Sequence, residues 1–333
     1  MTLRRALLML AVPLAVLYIS LFMGRYFVAP ADVARMLLNV LPAGGASWPP
    51  AAQTIVMQIR LPRALLALMV GGGLSMSGVA YQGMFRNPLV SPDILGVSAA
   101  SGFGAALALL FSRSQVELQL MAFAFGIIGV SLTYILARAY RSTPVLMLVL
   151  AGVIVAAFFS ALLSGAKYIA DPDSKLPAIT YWLLGSLNGA SWQSLRLAIP
   201  PIVLGSIGLM LLRWPLNVLA MGEDDARSLG VRTEWLRAAL IVCTTLITAA
   251  SVSACGIVAW VGLVIPHVAR IWVGPDHRVL MPAACSIGAV YLLIIDDVAR
   301  SASVSEIPLG ILTALIGAPF FAYLLRKTRT VWQ

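Results

Sequence analysis

Apolar residues run through this chain in long blocks separated by short polar ones. Stretches free of Asp, Glu, Lys and Arg cover 6–24, 64–85, 118–137, 142–166, 176–195, 197–212, 238–269, 279–295 and 307–325. Most approach the ~20 residues that one helical crossing of a ~30 Å hydrocarbon core requires, so the pattern predicts membrane helices. The run 238–269 is 32 residues long. As one helix it would reach about 48 Å, too far for a single crossing. A reversal is therefore expected at Ala254-Cys255-Gly256, where glycine tolerates the angles of a tight turn. The stretch RNPLVSPDILGVSAASGFGAA, residues 86–106, breaks the pattern differently. Arg86 ends the helix that begins near Arg63, and Asn87-Pro88 and Ser91-Pro92 forbid its continuation. Ile94 to Leu110 is then a short apolar segment carrying Gly96, Ser98, Ser101, Gly102 and Gly104. Small residues let helix backbones approach closely, which predicts a packed, partly broken segment inside the bundle; a plain loop followed by a helix is the alternative reading.

Composition sharpens this picture. The 333 residues are 60% hydrophobic and 11% charged, with mean hydropathy +0.94, against about 25% charged in a soluble domain. The expected fold class is an all-α polytopic membrane protein of about ten transmembrane segments, short or broken ones among them, forming a single domain over 1–333. A cleaved leader is not expected, because the 19 uncharged residues after MTLRR exceed an h-region of about 7–15. Cys243, Cys255 and Cys285 all lie in apolar runs without CxxC spacing, which argues against a disulfide framework or a zinc site.

Charge supplies orientation. With the N-terminus cytoplasmic, 14 Lys and Arg fall inside and eight outside, with Arg196 near a boundary. That bias places both termini in the cytoplasm and accounts for most of the +10 net charge without nucleic acid. The outside set includes Arg60, Arg63 and Arg300.

Seven blocks occur in order: RLPR at 60–63, SGVAYQGMFRNPLVSPDILGVSAASG at 77–102, WLLGSLNGASW at 182–192, GEDDARSLGV at 222–231, GLVIPHVARIWVGPDHRVLMP at 262–282, DDVAR at 296–300 and EIPLGILTALIGAPFF at 306–321. In this the chain resembles the FecCD, or type II, permeases of ABC importers for iron siderophores, haem and cobalamin. The resemblance covers nearly the whole chain. It implies a multi-pass permease of the bacterial cytoplasmic (inner) membrane that pairs with a second copy around a central pathway. Two ATP-binding subunits would lie below it and a periplasmic or extracellular substrate-binding protein above. ATP and Mg would belong to those subunits, with no cofactor or metal on this chain and no enzyme activity of its own; the sequence has no GxxxxGK[ST] phosphate loop. A metal chelate is the implied cargo, a ferric siderophore or haem before cobalamin, with an oxyanion such as molybdate also open.

Residue by residue, 214–235 is the implied ATPase-coupling segment. Glu223, Asp224 and Asp225 form an acidic first turn after Gly222, and Gly230 supplies a stop, which suits the dipole of a short helix. Ala226 and Leu229 are expected to make the close contacts, flanked by Arg227 and the acids. Arg60, Arg63 and Arg300 are the implied binding-protein dockers, since guanidinium groups suit carboxylates; headgroup contact or an internal Arg300–Asp296 pair is the plainer alternative. His267, Arg270, Asp276, His277 and Arg278 read as one end of a hairpin, capping helices and touching the ATPase. Two histidines ten residues apart are too few for a metal site. The resemblance places helices at 145–164, 64–83 and 307–325 around the pathway, with Ser142, Thr143 and Pro144 near the gate. Ala156, Ser160 and Ser164 suit a smooth wall or ordinary close packing equally.

One departure stands out. The family pattern generally has one Asp before xxAR, whereas Asp296 and Asp297 are adjacent here. Carboxylates in membrane protein are unfavourable unless paired or hydrated. They motivate a second hypothesis, a proton- or cation-coupled secondary transporter using Asp296 or Asp297. That reading would leave GEDDARSLG and the outer arginines unexplained. An intramembrane enzyme is weaker still, because neighbouring aspartates project from different faces of a helix.

Overall fold

The computed structural model describes residues 3–24, 26–38, 48–112, 114–138, 145–303 and 305–327, which contain helices, turns and loops and no strand. Helix α1 (Leu3–Phe22) is followed by two short helices, α2 (Pro30–Leu37) and α3 (Pro50–Thr54). The last runs through a π-helical turn, Ile55–Arg60, into α4 (Leu61–Phe85). That widened turn lies just before Pro62, which has no N–H to donate and displaces the carbonyl one turn back. The helix thus starts earlier than the expected boundary near Arg63. Next come α5 (Val97–Phe111), α6 (Gln115–Ala137), α7 (Val145–Ile169) and the short α8 (Lys175–Leu183). Then α9 (Trp192–Met221), α10 (Glu223–Ser228), α11 (Thr233–Cys255), α12 (Val261–Val273), α13 (His277–Ala302) and α14 (Leu309–Lys327) complete the described chain.

Among the described residues, seven helical stretches are long and apolar enough to cross a membrane: α1, α3–α4, α6, α7, α9, α11 and α13. Shorter apolar helices lie at α5, α12 and within α14. The reversal expected in 238–269 occurs where α11 ends at Cys255 and Gly256 takes φ +73°. The uncharged run 176–195 is not one helix. Chain reversal at Gly185 (φ +75°) separates α8 from α9, whose start is fixed by a capping box between Ser191 and Ser194.

Helix α4 lies at the centre, enclosed by α9, α11, α12 and α13. Its sequence explains this position. In lipid, apolar side chains gain little by meeting one another, so association depends on close fit between backbones. A Cβ on Gly71 would stand 2.2 Å from the Gly288 carbonyl oxygen of α13, and one on Gly78 would stand 1.8 Å from that of Gly262 in α12. Glycine is therefore required at both crossings. The expectation that 64–83 lines a pathway is corrected: this helix is surrounded by its own chain, whereas α7 leaves Val153, Ile154 and Phe158 exposed.

The 86–96 break is a stapled corner, exposed at Arg86, Asn87 and Leu89 and buried again from Pro92 to Gly96 except for the half-buried Asp93 and Ile94. Arg86 adopts left-handed φ +49°, a 3-10 turn follows at Pro92–Leu95, and Thr133 of α6 donates to the Leu95 carbonyl at 2.9 Å. A Cβ on Gly152 of α7 would lie 2.2 Å from the Ile94 oxygen.

Introducing leucine at Gly71 or Gly288 should lower the thermal unfolding midpoint in detergent markedly. Overpacking costs about 1–3 kcal/mol, and here backbones rather than side chains must separate. Leucine at Gly165, where a Cβ meets nothing within 4 Å, is the control and should leave the midpoint unchanged.

Candidate functional site

The acidic turn at 223–225 divides its labour. Glu223 faces inward, accepting from Arg227 Nη2 at 2.7 Å and from the buried Arg237 guanidinium of α11, with Thr233 Oγ1 at 3.4 Å. Burial works to raise the Glu223 carboxyl, but the hydrogen bond and charge of Arg237, with Arg227, outweigh it and hold the group below the ordinary glutamate range. Asp224 and Asp225 face outward. Gly222 accepts from the Ala226 N–H at 3.0 Å, and Gly230 turns the chain at φ +80°. Leu229 is 61% exposed, as expected of a contact residue. Ala226 is a correction: it is fully buried in the apolar cluster that holds Leu219 and Leu236, so it seats α10 on its own bundle and presents nothing to a partner. The outward surface is formed by Asp224, Asp225, Arg227, Ser228 and Leu229.

Beside it lies the hairpin. Asp276 caps α13, accepting from the Arg278 N–H at 2.9 Å and from Asn217 Nδ2 at 2.6 Å. Those two hydrogen bonds keep its carboxyl below the ordinary aspartate range. Asn217 Oδ1 in turn accepts from His277 N at 2.8 Å and contacts its Nδ1 at 2.6 Å. Arg270 donates to Gln82 Oε1 at 3.0 Å. His267 is half-buried and packs its ring against Phe321 of α14. Capping and helix-to-helix ties thus account for much of this island. Among the described residues no group of three His, Cys, Asp or Glu could hold a metal ion.

At the opposite end of α4 and α13 the arginines turn inward. Arg63 is buried between two carboxylates: Nε and Nη2 donate to Asp296 at 2.8–3.1 Å, while Nη1 and Nη2 donate to Glu306 at 3.0 and 2.9 Å. Arg60, also buried, donates to the Leu21 and Tyr26 carbonyls at 2.9 and 2.6 Å. Arg300 donates to the Ser20 and Met23 carbonyls at 2.7 and 3.0 Å and to Asp297 Oδ1 at 2.6 Å. Two arginines therefore satisfy carbonyls at and just beyond the C-terminal end of α1, where a helix leaves its last carbonyls unpaired and favours positive charge. All three guanidinium groups are thus engaged within the chain, and the internal pair weighed for Arg300 is found with Asp297 in place of Asp296. Each aspartate projects to its own arginine, so neither is an uncompensated carboxylate poised to carry a proton or cation.

Among the pathway residues, Ala156 is half-buried and Ser160 and Ser164 are exposed, with Ser164 Oγ donating to the Ser160 carbonyl of its own helix at 2.9 Å. Ser142, Thr143 and Pro144 lie outside the described residues. Residues 145–166 contain no charged side chain, and α14 exposes Leu315 and Ile316. Sequence reasoning passed over Glu306, Ser20, Asn217, Gln82 and Arg237. Glu306 had a visible signal, a lone carboxylate heading an apolar block; the others gain meaning only from partners 14–277 positions away.

A bundle with seven described helical stretches long and apolar enough to cross a membrane is that of a multi-pass membrane protein. The chain belongs to the FecCD transport family, whose model matches residues 10–327. It is 42% identical over 311 residues to the molybdate import system permease protein MolB of Haemophilus influenzae, covering 93% of this chain and 92% of that one. It is also 42% identical over 279 residues to the cobalamin import system permease protein BtuC of Halobacterium salinarum, covering 84% and 75%. A solved structure described as an inward-facing conformation of a metal-chelate type ABC transporter superposes with TM-score 0.84 at 40% identity, covering 96% and 97%.

Asp296→Asn should destabilise the bundle by about 3–5 kcal/mol, because it leaves Arg63 buried with only the half-exposed Glu306. Glu306→Gln should have a much smaller effect, and unfolding in detergent compares the two. The lowered Glu223 carboxyl contributes stability at all pH values above the ordinary glutamate range and loses it as pH falls through its own lower value. Hydrogen exchange of α10 should therefore stay slow at mildly acid pH and accelerate only below the ordinary range, whereas Glu223→Gln should make it fast throughout.

Proposed function

We propose that this chain is the transmembrane permease subunit of a binding-protein-dependent ABC importer, moving a metal chelate into the cytoplasm by ATP-driven alternating access. A ferric siderophore or haem is the preferred cargo, ahead of cobalamin. The observation that carries the reading is α10: a short helix fixed to α11 by Glu223–Arg237 that leaves Leu229 exposed. Such a lever transmits a push from a partner because it moves with α11, not independently of it. In this reading 214–235 faces the cytoplasm and docks on one of two ATP-binding subunits, which hold ATP and Mg. Both termini are cytoplasmic, two copies of 1–333 pair across the pathway, and a periplasmic or extracellular binding protein delivers the cargo in the bacterial inner membrane.

The exposed, uncharged faces of α7 and α14 support a chelate pathway. A wall without strong ligands lets a bulky complex leave again, while the binding protein provides affinity. Arg60, Arg63 and Arg300 then serve docking from beneath, by fixing the α1, α4 and α13 ends on which a binding protein would rest.

The test is reconstitution in liposomes with the ATPase that co-purifies and its binding protein. Uptake of a radiolabelled ferric chelate should require ATP and fall at least tenfold with Leu229→Arg, with the permease still folded. ATP-independent uptake driven by a proton gradient overturns the importer mechanism; ATP-driven uptake of molybdate alone overturns only the cargo.

A further inference from the structure

A cavity of about 600 Å3 opens at the α10 end of the bundle. Its wall brings together Gln82 and Arg86 from the end of α4, Asn217 and Met221 from α9, Arg270 from α12 and His277 from the start of α13. Met221 is two residues before Glu223, so the cavity adjoins the coupling segment directly.

Neither arginine of this cavity closes an ion pair within the chain. All 13 Asp and Glu residues are among the described residues, yet none forms an ion pair with Arg86 or Arg270. Arg270 is half-buried, and its one hydrogen bond among the described residues goes to the neutral Gln82 Oε1. The one carboxylate on the rim, Asp276, is already engaged by Asn217 and the Arg278 N–H. His277 adds no charge toward the opening, since its Nε2 is buried and turned to Gly83, where a Cβ would stand 2.6 Å away.

Arg86 adds an independent sign. It holds left-handed φ +49° just past the end of α4, a position where glycine or asparagine is favoured. Its exposed guanidinium reaches toward α10: Nη1 lies 4.0 Å from where a Cβ on Gly222 would stand, and the Asp225 carboxylate lies 3.2 Å from the same point without closing an ion pair with it. The side chain thus stands between the cavity and the helix that docks. An acidic protein group is favoured over lipid as the occupant, because the cavity reaches Met221 beside the coupling segment.

The geometry points to an anion site in which Arg86 and Arg270 receive an acidic side chain of the ATPase subunit, presented beside the cleft that takes α10. The site rests on the reading of α10 as the ATPase-docking helix. Arginine suits this task because its planar fork accepts a carboxylate through two parallel hydrogen bonds and it stays charged when partly buried. The pair fixes the register of α10 in its cleft, and its attraction is screened by salt.

Binding of the co-purified ATPase to the full-length permease in non-ionic, lipid-free micelles, measured across a range of NaCl concentrations, tests the site. Arg86→Gln with Arg270→Gln should weaken binding about tenfold at low salt and flatten its salt dependence. Arg86→Lys should keep most of both, and Arg86→Glu should lose binding that is regained when one acidic residue of the ATPase is changed to lysine. Wild-type affinity and salt slope in the double variant, or a defect seen only in nanodiscs containing phosphatidylglycerol, overturns the site, the second outcome assigning it to lipid headgroups. Undiminished binding by Leu229→Arg instead overturns the docking role of α10, on which the site depends.

Discussion

Backbone contact between α4 and its neighbours is the constraint from which the remaining architecture follows. A helix that meets α13 at Gly71 and α12 at Gly78 with carbonyl oxygens inside the space of a side chain has no freedom to slide or rotate. Inside a bilayer this fit replaces the hydrophobic drive of a soluble core, since lipid chains are as apolar as leucine. The same geometry sets both ends of the bundle. It brings Arg63 to Asp296 at one end of α4 and Arg270 to Gln82 near the other.

The two ends handle charge in contrasting ways. At the Arg63 end, guanidinium groups are buried and fully engaged, by carboxylates on α13 and by carbonyls around the end of α1. Such pairs persist because desolvation is repaid by several directed hydrogen bonds per arginine, and removing one partner would leave a bare charge inside. At the α10 end, Glu223 and Arg237 bind the lever to the bundle, while Arg86 and Arg270 lack carboxylates. One end is closed on itself by ion pairs; the other keeps two arginines without a carboxylate of their own for the proposed anion site.

Much of this was legible in the chain. The apolar blocks located the long helices, Gly256 marked the reversal, and the prolines of 86–96 marked a corner. GEDDARSLGV was legible as a short acidic helix with a glycine stop because dipole, capping and turn preferences are local. The direction of Ala226 was not, since a six-residue helix does not announce which side rests on its own bundle. Nor was the inward turn of Arg60, Arg63 and Arg300. Their partners are as far as 280 residues away in sequence, and an arginine at a helix end looks the same whether it meets solvent or a buried carboxylate.

Composition and periodicity determined the all-helical membrane class, the places of most long helices but not the split of 176–195 or the full reach of α9 and α13 and, through seven ordered motifs, the FecCD family. Those properties depend on hydrophobicity and local backbone preference, which each segment carries with it. Tertiary structure decided that 64–83 is enclosed, that adjacent aspartates serve different arginines and that Arg86 and Arg270 line one cavity. Each of these is a property of pairs of helices, set by how closely their backbones approach, and no single segment encodes it alone.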